Sequence, residues 1–280
     1  MGTNFTILCP IDFSECALNA LEYAAKVGEK YKAKLIIFHV LNKKDFQNLS
    51  PLDLSGIVQK EFLEQKLRNL QEAVLKESLP KGLKSCEVVI LEGAIVQATL
   101  DFSQKINANL IVVGTEGMND FKKQVVGSRS SKMVMQSDLD ILVVPRKAFF
   151  KRPRKLVYAS NYVEEDKGAI KKVIQFALFF DSEIDIVHVS SRSRLIDKAL
   201  HKTMVEEIKP AISYELVNYV LKSFRDDLAL GLENYLQLAK GDILVTVSKK
   251  KDFFDQLFSK NLSRKMSYFI TKPLWVIKSY

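Results

Sequence analysis

The chain reads twice. Leu156–Asn161 (LVYASN) follows Ile7–Asp12 (ILCPID) at an offset of 149 residues. At the same offset Ile184–Val189 (IDIVHV) follows Leu35–Val40 (LIIFHV), so His188-Val189 falls on His39-Val40. Further on the offset becomes 133: Ile243–Val247 (ILVTV) falls on Leu110–Gly114 (LIVVG), and Leu274–Ile277 (LWVI) on Ile141–Val144 (ILVV). Agreement of so many segments in one order marks an internal duplication, with its boundary near Ala148–Pro153. Each half of the 280 residues is long enough to bury its own core. The drop from 149 to 133, or 16 residues, implies a shorter connection between the second and fourth strands of the second copy.

Within the first copy, Phe5–Ile11, Lys34–Leu41, Cys86–Leu91, Leu110–Val113 and Ile141–Val144 are short apolar runs rich in β-branched residues. Most are apolar on both faces, as central strands of a parallel sheet require. Between them lie helical stripes: Ala17, Leu18, Leu21, Ala24, Ala25 and Val27, then Leu63, Leu67, Leu70, Val74 and Leu75. Ser14 stands where a helix N-cap belongs. The order β-α-β-α-β-α-β-α-β predicts a doubly wound α/β domain, a parallel five-stranded sheet with helices on both faces, present twice in tandem.

Composition removes other classes. Hydrophobic content of 47% and charged content of 27% are those of an ordinary globular protein, and no run is long and apolar enough for a membrane span. Met1–Phe5 lacks the basic and apolar regions of a signal peptide, so a cytoplasmic protein is expected. Cys9, Cys16 and Cys86 read as buried thiols, and three histidines without a spaced partner give no metal site. The net charge of +9 divides into +2 for residues 1–147 (19 Lys+Arg against 17 Asp+Glu) and +7 for the remainder (23 against 16). The densest basic runs, Lys147–Lys155 and Lys249–Lys251, read as solvated linker and loop; no nucleic-acid module surrounds them. Phe253, Phe254, Leu257, Phe258 and Leu262 read as core or domain interface.

The chemistry-bearing stretch follows the fourth strand: Gly114-Thr115-Glu116-Gly117, nine residues, then Gly127-Ser128-Arg129-Ser130, running into a helical Lys132–Met135. Glycines let backbone N–H groups approach an anion without a Cβ in the way, and a helix start near Gly127 adds unpaired N–H groups and a positive dipole end. Ser128 and Ser130 supply hydroxyl donors. The position, beyond the C-terminal end of a strand, is where open α/β sheets hold ligands. The plainer alternative is a tight turn after the strand. No Walker A loop occurs, nor a dinucleotide fingerprint in the turn Asp12–Glu15, which argues against a P-loop NTPase and an NAD enzyme.

The pattern G-x-x-G-x(9)-G-[ST] resembles the ATP-binding signature of the universal stress protein family. Ile7–Ser14, His39-Val40 and Asp140–Pro145 resemble that family's first, second and last strands. The resemblance covers residues 1–147 well and 154–280 more weakly, with 148–153 as linker, as in tandem members of the family. It implies the adenine nucleotide alpha hydrolase-like variant of the Rossmann-like fold. Asp12 would hold the ribose or adenine edge, with Pro10, Ile11 and Val40 lining the base pocket. Gly114, Gly117, Gly127 and Ser128 would cradle the phosphates, with Ser130 nearby. For Asp12 a helix-capping role is the alternative, and for Val40 plain core. ATP is the implied ligand, with Mg²⁺ as a candidate companion. Glu116 stands where many members carry histidine; beside a triphosphate it must point to solvent or meet a cation such as Mg²⁺ or Lys122. The resemblance also implies that the last strands of the two copies meet edge to edge; a homodimer is the other assembly left open.

The second copy lacks the pattern. At offset 133 Gly114, Gly117, Gly127 and Ser128 become Val247, Lys250, Lys260 and Asn261, and at offset 149 Asp12 becomes Asn161. The sequence therefore predicts an ATP-binding regulatory or stress-response factor with one nucleotide site, in the first copy. Two rivals stay open: a scaffold of the same fold without nucleotide, and a weak ATP hydrolase using Glu116 or Asp120.

Overall fold

A computed structural model describes residues 4–41, 54–115, 128–160, 165–190, 194–209, 213–223, 228–248 and 271–278. The chain divides into two compact units, the first reaching Phe150 and the second beginning at Lys151.

In the first unit β1 (Thr6–Pro10) is buried along its whole length. It is followed by α1 (Glu15–Tyr31), capped by Ser14, whose hydroxyl accepts the Ala17 N–H at 3.3 Å. Glu15 in the first turn and Lys30 in the last match the helix dipole, and Lys32 closes the helix in the left-handed conformation. Cys16, Ala17, Ala20, Leu21, Ala24 and Val27 face the sheet; Leu18, expected on that stripe, is 39% exposed, and Asn19 and Tyr23 are buried in addition. Then come β2 (Lys34–Leu41), α2 (Leu54–Ser78), a 3-10 turn (Leu79–Lys81), β3 (Ser85–Glu92), α3 (Ile95–Lys105), β4 (Leu110–Thr115), α4 (Ser128–Gln136) and β5 (Asp140–Pro145). The strands are parallel in the order β3-β2-β1-β4-β5. Leu8 lies between Ile36 and Ile111 in register. One face of the sheet closes over Leu8, Ile36, Phe38 and Ala108, with Phe102 stacked on Phe38 at 5.0 Å. Burial of Leu8, Ile36 and Phe38 contributes roughly 1.5–3 kcal/mol each.

The second unit repeats the topology with β6 (Lys155–Ala159), α5 (Glu165–Phe180), β7 (Glu183–Ser190), α6 (Arg194–Ile208), β8 (Val217–Ser223), α7 (Leu228–Leu238), β9 (Ile243–Ser248) and β10 (Leu274–Lys278), ordered β8-β7-β6-β9-β10. The helix after the second strand is ten residues shorter, 15 in α6 against 25 in α2, and the segment leading into it is shorter as well. β8 was not singled out from sequence: as a half-buried edge strand, VNYVLKS offers no continuous apolar run.

The segment between the units is less free than a solvated linker. Lys147, Lys151, Arg152 and Arg154 are exposed as expected, but Ala148 and Pro153 are buried. Asn19 donates from Nδ2 to the Pro145 and Ala148 carbonyls at 2.9 and 2.8 Å, and Phe150 packs on Tyr23. Beyond Lys151, Arg152 pairs with Asp181, and the Ser182 hydroxyl donates to the Pro153 carbonyl at 2.7 Å.

Two replacements inside the second core show how the copies diverged. Ile36 becomes Asp185, 2% exposed, which accepts from Asn218 Nδ2 at 2.8 Å and Tyr235 Oη at 2.9 Å and meets Lys155 Nζ at 3.4 Å. Ala17 becomes Asp166, buried, which accepts from the Tyr158 hydroxyl and from Ser160 Oγ at 2.7 Å. Both carboxylates are supplied with donors, the condition under which a buried charge is tolerated.

Candidate functional site

In the first unit the strand order reverses between β1 and β4, and the carboxyl ends of those two strands bound the crevice where open α/β sheets take ligands. β1 delivers Pro10, Ile11 and Asp12 to that point. Pro10 is buried and Ile11 is 1% exposed, so both belong to the core beneath the crevice, while Asp12 is exposed. Asp12 does not cap α1 directly. Its Oδ1 accepts from the Ser14 N–H at 3.1 Å and from the Ser14 hydroxyl, and Ser14 is the cap. Phe13 between them takes the left-handed conformation, φ 62°, uncommon for a bulky residue.

Val40, half-buried at the end of β2, packs against the Leu8–Phe38 cluster. Its neighbour His39 turns to the crevice side, with Nδ1 2.6 Å from the Ile11 carbonyl oxygen and its ring 5.5 Å from that of Phe13. Lys66 on α2 places its ammonium 5.6 Å from the Phe13 ring centre and 4.5 Å from that of Phe62. Sequence reasoning passed over Phe13 and Lys66; the Asp-x-Ser turn signals the first, whereas the second depends on how α2 packs.

Gly114 sits near the end of β4. A Cβ there would lie 2.4 Å from the Cys16 carbonyl carbon and oxygen and 2.7 Å from the Ala17 nitrogen. Its glycine character is thus demanded by the first turn of α1, which packs onto the strand. α4 spans Ser128–Gln136, the stretch expected to be helical after the glycines, and Met133 and Val134, each 1% exposed, anchor it. Ser130 is buried in its first turn, and Arg129 and Lys132 are exposed. Glu116, Gly117, Asp120, Lys122 and Gly127 lie outside the described residues, as do Asn161, Lys249–Lys251, Phe253–Leu262 and, with them, Lys250, Lys260 and Asn261.

The cysteines are all buried and unbridged. Burial pushes the Cys9 thiol far above its ordinary range and that of Cys86 up to about 12, so neither is a nucleophile. Among the described residues no group of three or more metal-ligating side chains comes together, and no helix is long and apolar enough to cross a membrane.

These features can be set beside known proteins. The model of the Universal stress protein family matches residues 3–145, half of the chain. The chain belongs to the universal stress protein family. A universal stress protein of Methanocaldococcus jannaschii is 26% identical over 149 residues, 53% of this chain and 83% of that protein. A relative from Staphylococcus aureus (strain USA300) is 30% identical over 148 residues, 51% of this chain and 86% of its own. The crystal structure of a universal stress protein from Archaeoglobus fulgidus superposes with a TM-score of 0.73 at 20% identity, covering 98% of both chains. A Pseudomonas aeruginosa PAO1 protein follows with a TM-score of 0.62 at 13% identity, covering 99% of this chain and 93% of its own. At these identities the two structures speak for the fold alone, and family membership rests on the sequence match.

Proposed function

We propose that this universal stress protein binds one adenine nucleotide, ATP, in the first unit, for regulation rather than turnover. The observation that carries this reading is α4 (Ser128–Gln136) following the Gly114, Gly117 and Gly127 pattern in sequence, in a unit whose switch point lies between β1 and β4. A helix that starts near Gly127-Ser128 would supply unpaired N–H groups and a positive dipole end to a phosphate. Asp12 supports it: the carboxylate is exposed at the crevice, with Oδ1 fixed by Ser14, so Oδ2 is the atom available to a ribose hydroxyl or an amino edge. Gly114 fits less directly, because helix packing already requires it. Phosphate contact then falls to Gly117, Gly127, Ser128 and the α4 N-terminus, with Ser130 beneath.

In the second unit Val247 replaces Gly114 and Asn161 replaces Asp12, and that unit serves as packing partner. Pairing of Ile141–Val144 with Leu274–Ile277, which the family resemblance implies, would cover the exposed edges of the two sheets and belongs to the same proposal. Calorimetric titration of nucleotide-stripped protein with ATP, AMP and NAD tests the nucleotide reading. One ATP per chain is expected, lost in Gly127→Lys and kept in Lys260→Gly; absence of binding by all three at millimolar concentration overturns it and leaves the scaffold reading.

A further inference from the structure

We infer that His39 is a positioning residue that fixes Asp12 through the backbone of Ile11. The inference rests on the nucleotide reading only for its consequence in binding, not for the geometry. Ile11 is held to β2 at both ends of its backbone. Its N–H donates to the Phe38 carbonyl at 2.8 Å, and its carbonyl faces His39 Nδ1 at 2.6 Å. A carbonyl oxygen only accepts, so Nδ1 carries the proton. That bond sets the peptide plane between Ile11 and Asp12.

The next residue is the strained one. Phe13 holds φ 62°, a conformation that costs a bulky side chain free energy and persists only where its surroundings over-determine it. The surroundings here are the His39 ring on Phe13, the Lys66 ammonium near the same ring, and the two Ser14 bonds to Asp12 Oδ1. Without His39 the Ile11 carbonyl loses its side-chain partner and the Phe13 ring is left with Lys66, and the turn bearing Asp12 can relax to an ordinary φ.

The second unit contains the internal control. His188 Nδ1 lies 2.8 Å from the Ser160 carbonyl, the same bond at the same offset of 149. There the next residue in sequence is Asn161, and the glycine pattern is gone. The histidine bond to the residue after the first strand is therefore a device of the fold, and only in the first unit does that residue precede a carboxylate.

The test compares full-length His39→Gln, His39→Asn and His188→Gln. The asparagine amide nitrogen reproduces the place of Nδ1, whereas that of glutamine reproduces Nε2. Without nucleotide, exchange of the Ser14 amide proton, followed by NMR, should quicken about tenfold in His39→Gln, a loss of roughly 1.4 kcal/mol. It should return to the wild-type rate in His39→Asn and stay unchanged in His188→Gln. ATP affinity should follow the same pattern. Ser14 exchange unaffected by His39→Gln, or an asparagine variant no better than glutamine, overturns the inference. If wild-type protein binds no ATP, the nucleotide reading fails, and the Ser14 measurement still decides whether His39 positions Asp12.

Discussion

Gly114 shows how one residue can answer to two demands. In the sequence it reads as the first glycine of a phosphate loop; in the structure its missing Cβ makes room for the backbone of Cys16 and Ala17. Gly114→Ala is expected to destabilise the first unit by about 3 kcal/mol, since rigid helix backbone cannot yield as a side chain would. Chemical denaturation checks this, and an unchanged midpoint would show that α1 can shift at no cost. Ser14 invites a smaller effect: Ser14→Ala should cost about 1 kcal/mol through the lost cap, and Ser14→Thr, which keeps the hydroxyl, should keep most of it. Ser14 was legible because capping is local chemistry. The left-handed Phe13 and the His39 bond to Ile11 were not, because they depend on β2 lying beside β1.

Elements were legible where burial is continuous. Strands β1, β2 and β4 announce themselves as apolar runs, whereas β8 at the sheet edge, broken by Asn218 and Lys222, was missed. Helix α7 holds a second surprise. Glu233 occupies the position of Leu100 at offset 133, and it is 3% exposed. Its Oε1 accepts from Gln237, and its Oε2 has no hydrogen-bond partner among the described residues. Burial raises its pKa, so between the unfolded and folded values the native state binds more protons than the unfolded one. Stability from this group is therefore fully present below the unfolded carboxyl pKa and falls as pH rises through the folded value. Glu233→Leu should stabilise the second unit by about 1–2 kcal/mol at neutral pH and flatten that dependence, because an unsatisfied buried carboxylate is removed. Thermal melts from pH 4 to pH 8 read the effect, and a loss of stability at neutral pH would mean that Glu233 has a polar partner after all.

At the scale of the whole molecule, duplication explains what was kept and what drifted. Both copies retain the strand order and the histidine bond to the carbonyl just after the first strand. Their interiors differ in kind: Ile36 and Ala17 became the hydrogen-bonded Asp185 and Asp166, changes that no apolar pattern could reveal because their partners, Tyr235 and Tyr158, come from elsewhere in the fold. Excess positive charge collected in the second copy, +7 against +2, the copy that lost the glycine pattern. The central claim is that the duplication left one nucleotide site, in the first unit. Amide hydrogen exchange of the full chain with and without saturating ATP, read peptide by peptide, tests it most directly. The account predicts slowed exchange in peptides spanning residues 10–18 and 110–136 and none in those spanning 155–160 and 243–248. Protection in the second set, or in neither, would contradict it.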